Sequence, residues 1–282
     1  MKVATKDAYA LAEGPRWDSE RGRLLWVDIL HGAVIEGDLH HGSITVTARH
    51  DFDCMVSAAA FAPDGTLLVA AQEALVVVHP DGTREHGPRV VTAGEGRRMN
   101  DGAVDPEGRF LVGTLAIDGG SDREQLVRLE HDGSLTILDD DLMLSNGLAW
   151  STDGTRMFSV DTLRRVVYVR QRDDDRQVHL TIDDGHPDGI AVDADDHLWV
   201  ALWGAGAVHR YSPDGALVER LDVPAPHITA VAFAGDDLRT LVITTAYDEL
   251  SDEQRAAFPN SGRLFTTRTD VAGIPPTAWK RT

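Results

Sequence analysis

One cysteine, Cys54, is present in 282 residues, so no disulfide can form within the chain and a reducing compartment is expected. Basic side chains are scarce: 27 Lys and Arg stand against 46 Asp and Glu, a formal charge of −19. That balance lacks the basic stripe a nucleic-acid partner demands; its plain consequence is solubility. No run approaches the roughly 18 apolar residues of a membrane span, and the opening MKVATKDAYALAEGP lacks the apolar core of a signal peptide. A cytoplasmic protein with no membrane or nucleic-acid partner is expected, as a monomer or weak homo-oligomer. Long capped stretches with apolar residues at i, i+3, i+4 and i+7 are missing, which argues against a helical fold. So are the GxSxG elbow, the GxxxxGK[ST] phosphate loop, the HExxH pair and the EF-hand loop. GAGAVH joins two short strands and opens no helix, so it is not read as a dinucleotide loop.

What the chain does have is a repeat. PRWDSERGRLLWVDI, AAFAPDGTLLVAA, AVDPEGRFLVGTL, LAWSTDGTRMFSVDT, IAVDADDHLWVAL and VAFAGDDLRTLVITTA share one template: an anchor, an acidic or Gly-containing turn, then an apolar run. The anchors Trp17, Phe61, Val104, Trp150, Val192 and Phe233 are 41–46 residues apart. A period of roughly 40–50 residues built from short strands is that of a propeller blade. The expected fold is all-β, a single six-bladed β-propeller over residues 1–282. Nearly continuous apolar runs suit strands buried on both faces. Val3–Leu11 is expected to pair into the last blade and close the ring. Tyr247–Asn260 reads as a loop with one helical turn, and Arg172–Arg176 as a solvated outer turn.

Four residues before the anchors stand Glu13, Ser57, Asn100, Asn146, Asp188 and Thr229, polar in every unit. The first strand of each blade lines the axis, so residues entering it are expected to converge at one mouth of the channel. Polar loops at Thr92–Arg98 and Ala116–Gln125 are placed to cover a pocket there. Glu13, Asn146 and Asp188 are hard oxygen donors, a set that suits calcium first, with magnesium, manganese or a nitrogen-poor zinc site as alternatives. No His occupies the ring and the one thiol is Cys54, which argues against thiolate or three-His zinc. Asn146–Gly147 and Asp188–Gly189 are also common turn dipeptides, and that reading competes with the metal one. A bound cation would polarise a carbonyl, with Asp188 as candidate general base or as a ligand only. His186 and His227 read as loop residues near the mouth, and Cys54 as a small half-buried one.

AEGPRWD, RRMNDGAVDPEGRFLVGTL, SNGLAW and PDGIAVDADDHLWVAL, in that order, resemble the senescence marker protein 30/gluconolactonase family, from about Leu11 to Phe265. The resemblance implies a six-bladed propeller with one divalent metal in the channel, held by Glu13, Asn146 and Asp188. It implies substrate contacts from Arg98 and Asn100, in an R-x-N-D-G motif where Met99 replaces the Phe that relatives often carry, with Asp101 beside them. Some members place a Glu eighteen residues after that Asn, against a sugar hydroxyl; here the position is Asp118, one methylene shorter. The implied activity is hydrolysis of sugar lactones, mostly aldonolactones, to hydroxy acids. Calcium-dependent phosphotriesterase-like hydrolysis and a non-catalytic calcium-binding propeller are the competing expectations.

Overall fold

After a short β1 (Lys2–Val3), the chain forms four antiparallel four-stranded sheets in succession, in a computed structural model that describes residues 1–172 and 174–281. The first is β2 (Ala12–Asp18), β3 (Arg23–Asp28), β4 (Ala33–His40) and β5 (Ser43–Asp51). The second is β6 (Val56–Phe61), β7 (Leu67–Ala71), β8 (Ala74–Val78) and β9 (Arg84–Arg89). The third is β10 (Arg97–Val104), β11 (Phe110–Ala116), β12 (Glu124–Leu129) and β13 (Leu135–Leu142). The fourth is β14 (Ser145–Trp150), β15 (Arg156–Asp161), β16 (Val166–Gln171) and β17 (Gln177–Thr181). An eight-stranded sheet then gathers β18 (His186–Val192), β19 (Leu198–Trp203), β20 (Ala207–Tyr211), β21 (Leu217–Asp222), β22 (His227–Ala234), β23 (Thr240–Ala246), β24 (Phe265–Arg268) and β1. Its halves, β18–β21 and β22–β24 with β1, meet through the single pair Trp203–His227.

The architecture is an all-β propeller. The inner strands β2, β6, β10, β14, β18 and β22 touch in that order, and β22 returns to β2. Closure uses both ends of the chain: Lys2 and Val3 pair with Thr266 and Phe265, and Leu11 bridges Ala246. Thr229 at the seam donates to the Ala12 carbonyl at 2.6 Å. Pairing the ends in this way completes the last strand set at the seam with β1.

Hairpins follow their turn chemistry. Between β6 and β7, Gly65 takes φ +89°, a region that disfavours a Cβ, and Asp64 accepts the Thr66 N–H at 2.9 Å. Apolar clusters fill the gaps between neighbouring strand sets. Leu25, Val27 and Val34 meet Val56, Val69 and Val76; at the seam Trp17 and Trp26 meet Val242 and Leu264. Trp26 is fully buried, and truncation to Ala would cost about 3–5 kcal/mol.

Several expectations need correction. The ring residues do not precede the inner strands but lie inside them, because pairing resumes beyond a bulge. His186 and His227 begin β18 and β22 rather than lying in loops. Cys54 is exposed. Arg176 is no free turn residue, since it pairs with Asp139 and Asp141; Asp173 of that run lies outside the described residues. The irregular stretch after β23 holds α1 (Asp252–Ala257), capped by Ser251 and Gln254 in a reciprocal box.

Candidate active site

In every inner strand the pairing register breaks at or directly after the repeated polar position: five of the six fall inside the break, and Glu13 pairs with Val27 at its edge. The breaks fall between Glu13 and Arg16, Val56 and Ala58, Met99 and Gly102, Ser145 and Leu148, Pro187 and Ile190, and Ile228 and Ala230. A bulge leaves its extra residue unpaired and re-aims the side chain, so the same irregularity recurs around the axis. The glycines that follow allow the inner strands to close up. A Cβ on Gly147 would stand 2.4 Å from the Asp188 carbonyl oxygen, and one on Gly189 2.4 Å from the Ala230 Cβ. Asn146–Gly147 and Asp188–Gly189 are therefore strand residues at a close backbone approach, and the turn-dipeptide reading fails.

The six positions divide by their partners. Ser57 donates to the Ala70 carbonyl of its own sheet at 3.3 Å, and Thr229 to Ala12 and to Thr244 Oγ1. Asn100 accepts from Arg98 at 2.8 Å and donates to the Ser145 carbonyl at 2.9 Å. Glu13, Asn146 and Asp188 are different. Asn146 Nδ2 donates to Thr162 Oγ1 at 3.1 Å, and Thr162 donates in turn to the Pro187 carbonyl at 2.8 Å. This chain fixes the amide while its Oδ1, like Asp188 Oδ1, is buried without a hydrogen-bond partner among the described residues; the Asp188 carboxyl otherwise shares side-chain hydrogen bonds with Glu13 and Asn146. Buried polar atoms without partners are rare and point to an absent ion or water.

The electrostatics agree. Burial first, and then the Asp101 carboxylate, push Glu13 up to about 8. Burial, then Glu13 and Asp101, raise Asp188 well above the carboxylate range. Asp101 is raised by burial against the pull of Arg16 and the Gly102 N–H. Arg98 is lowered to about 10 by burial, with Glu13 and Asp188 opposing. Glu13, Asp101 and Asp188 thus share a buried space with the guanidinium groups of Arg98 and Arg16, and charges of one sign are in excess. Two carboxylates and an amide oxygen at its centre match the donor chemistry of a divalent cation. Among the described residues no group of three or more His, Cys, Asp or Glu is arranged to hold a metal; this donor set includes Asn146, which such a group does not count.

Asp118 does not join this group. It is exposed on the loop between β11 and β12 and accepts the Gly120 N–H at 3.3 Å. Arg97, beside Arg98, turns outward to the buried Glu124 at 3.0 Å. Near the mouth, Trp203 stacks on His227 at 3.9 Å with a 12° interplanar angle. Sequence reasoning misses Trp203, Thr162 and Arg16. Thr162 directly follows β15 and Trp203 ends β19, both outside the repeated register, and Arg16 acts through a neighbour, Asp101, reached only in the fold.

The family model for the SMP-30/gluconolactonase/LRE-like region matches residues 11–247, which includes Glu13, Asn146 and Asp188. The chain belongs to this family. A 6-deoxy-6-sulfogluconolactonase of Pseudomonas putida is 34% identical over 97% of this chain and 96% of its own length. A pentonolactonase of Haloferax volcanii is likewise 34% identical, over 93% and 91%. A calcium-binding regucalcin of Agrobacterium tumefaciens superposes with a TM-score of 0.91 at 29% identity, covering 99% of each chain.

Proposed function

We propose that the protein is a sugar-lactone lactonase, a carboxylic ester hydrolase built as one six-bladed propeller over residues 1–282. One divalent cation, calcium first, is held by Glu13, Asn146 and Asp188. The observation that carries this reading is the pair of buried, partnerless oxygens, Asn146 Oδ1 and Asp188 Oδ1, beside Glu13. Relatives named for lactones of hexose and pentose acids support the substrate class.

Hydrolysis forms a bond from water oxygen to the lactone carbonyl carbon and breaks the bond from that carbon to the ring oxygen. The proton released by water ends on the departing alkoxide. A bound dication would polarise the carbonyl and stabilise the negative charge that develops on it. Asp188 takes the proton from the attacking water and returns it to the ring oxygen. Arg98 holds substrate hydroxyls, and Asn100 fixes the guanidinium while presenting its second amide N–H. The charges fit: three carboxylates against two guanidinium groups leave one negative charge, which a dication turns to one positive, complementary to an oxyanion.

The test is a pH-indicator assay on chelated protein reloaded with calcium, zinc, magnesium or manganese. Substrates are γ- and δ-lactones of pentoses and hexoses, with organophosphate esters run on the same preparation. Lactone turnover that depends on the added cation is expected. Metal-loaded protein that opens no lactone overturns the reading, and faster organophosphate turnover moves it to a phosphotriesterase.

A further inference from the structure

Two to four residues past the ring, the same six inner strands line a second space. It is a cavity of about 340 Å³, within the roughly 300–1,000 Å³ typical of small-molecule pockets. At about 3.3 Å of rise per residue it begins roughly 7 Å beyond the ring. Five of the repeat anchors line it, Phe61, Val104, Trp150, Val192 and Phe233, and Arg16 is the one cationic side chain among the described residues of its lining. Asp153, at the rim, is held by Ser151 and Thr155.

The C-terminal segment straps this end. Ala272 accepts the Ala194 N–H, the Gly273 N–H donates to the Leu238 carbonyl, and the Trp279 N–H to the Phe61 carbonyl, each at 2.8 Å. Trp279 is buried among Phe110 and Leu68. A Cβ on Gly273 would meet Phe233 at 2.2 Å, so the strap is fitted closely to the wall. Residues 274–277 cross between these fixed points and form part of the lining.

Arg16 faces two ways. Its Nη1 donates to the Pro15 carbonyl and its Nη2 to the Gly102 carbonyl, both at 3.0 Å, while Nη2 lies 3.8 Å from Asp101 Oδ1. Two of its five N–H donors are used in this way.

We propose that this lower chamber is a second ligand site for a small organic monocarboxylate with an aromatic or compact aliphatic body, its charge read by Arg16. The walls are mostly aromatic and aliphatic, with Ser151, Thr152, Asp153 and Thr277 as polar exceptions, so they disfavour a polyhydroxylated ligand, and the Arg16 guanidinium selects an anion over its neutral counterpart. Because Arg16 also faces Asp101, an anion beside it makes the acidic ring bind a cation more tightly, and the cation favours the anion by the same factor.

The test is calorimetric titration of the calcium-loaded protein with phenylacetate and with phenylacetamide, which match in shape and differ in charge. Saturable binding of one phenylacetate per chain is expected, with the amide about tenfold weaker, the loss of one charge-assisted hydrogen bond. Arg16→Gln should bring phenylacetate down to the level of the amide. Ala191→Phe, which fills the chamber from a strand, and Thr277→Trp, which fills it from the strap, should each abolish binding of both probes. Calcium affinity should rise in saturating phenylacetate. Absence of saturation at millimolar phenylacetate overturns the proposal. So does unchanged charge preference in Arg16→Gln, or undiminished binding in either filled variant that remains folded.

Discussion

Glu13 and Asp18 stand five residues apart on β2, Asp188 and Asp193 five apart along β18 and the turn after it, and all four are at most 5% exposed. Their surroundings differ completely. Asp18 accepts the N–H groups of Glu20 and Arg21 and the Arg21 guanidinium at 2.7 Å. Asp193 accepts from the N–H groups of Asp195 and His197, from Trp199 Nε1 and from Arg210. Asp105, one past the Val104 anchor, does the same with Glu107 and Arg109. These carboxylates close the first hairpins of their sheets. At the other end of the same strands, Glu13 accepts its neighbour Gly14 N–H at 2.8 Å, shares a side-chain hydrogen bond with Asp188 and otherwise faces acids. Burial alone therefore does not single out a candidate carboxylate; a buried carboxylate set against other acids does.

The sharpest way to break the comparison is to neutralise one acid at each end. Asp188→Asn should abolish tight cation binding and lower lactone turnover by about 10²–10⁴-fold. The metal-free variant should nonetheless unfold at higher urea than metal-free wild type at neutral pH, since the cost of burying an acid beside Glu13 and Asp101 has been removed. Asp193→Ala should do the reverse. It should lose about 1–3 kcal/mol of stability, because Trp199 Nε1 is left buried and Arg210 half-buried without the shared acceptor, while any folded protein still binds one cation. Equal stability losses at both positions would remove the distinction between the two ends.

A pH series sharpens the same point. Glu13 is raised to about 8 from an ordinary 4.5, so the metal-free folded protein holds this proton more tightly than the unfolded chain. The stabilising contribution is complete below about 4.5 and is lost as pH rises through about 8. Urea midpoints of chelated protein should fall across that window, less so in Glu13→Gln, and the difference between the two should shrink when calcium is present. A wild-type profile identical to that of Glu13→Gln would show that Glu13 is not the group responsible.

Much of this arrangement is legible in the sequence, and the limits have physical causes. Hairpin chemistry and blade period recur in every unit, so the inner strands and their shared polar position can be read from spacing. Donor chemistry then separates Glu13, Asn146 and Asp188 from Ser57 and Thr229, whose hydroxyls turn back to backbone carbonyls. That Asn146 and Asp188 precede strand glycines rather than turn glycines is not legible, because the same dipeptides serve both. Nor is Thr162, which fixes Asn146 from another strand end, or the strap, whose contacts to Leu238, Phe61 and Gly108 join distant parts of the chain.

Arg98 tests a smaller difference, between holding the ion and holding the substrate. It is buried and anchored on the Met99 and Asn100 oxygens. Arg98→Ala should retain one bound cation while KM rises about 10–100-fold, the loss of a charged hydrogen bond, with a smaller change in kcat. Loss of the cation in this variant would place Arg98 among the groups that organise the ring.

The smallest effect belongs to Asp118, the one substrate-contact candidate that lies outside the buried cluster. It follows β11, whose Leu115 pairs with Arg98, and the Ile117 N–H donates to the Gly96 carbonyl, so its loop rises from the end of the third sheet that holds Arg98. Its carboxylate accepts the Gly120 N–H at 3.3 Å. Asp118→Ala should therefore change stability by no more than about 0.5 kcal/mol, as surface substitutions do, and should leave cation binding intact. If the loop closes over a bound lactone, the carboxylate reaches a hydroxyl, and a missing partner at such a contact discriminates strongly between substrates. Asp118→Glu, one methylene longer, should then shift the ranking of pentonolactones against hexonolactones, and Asp118→Ala should flatten it. Competition assays with paired lactones read that ranking directly. Identical rankings in wild type and both variants would leave Asp118 as the cap of the Gly119–Gly120 turn and assign specificity to the walls around Arg98 and Trp203.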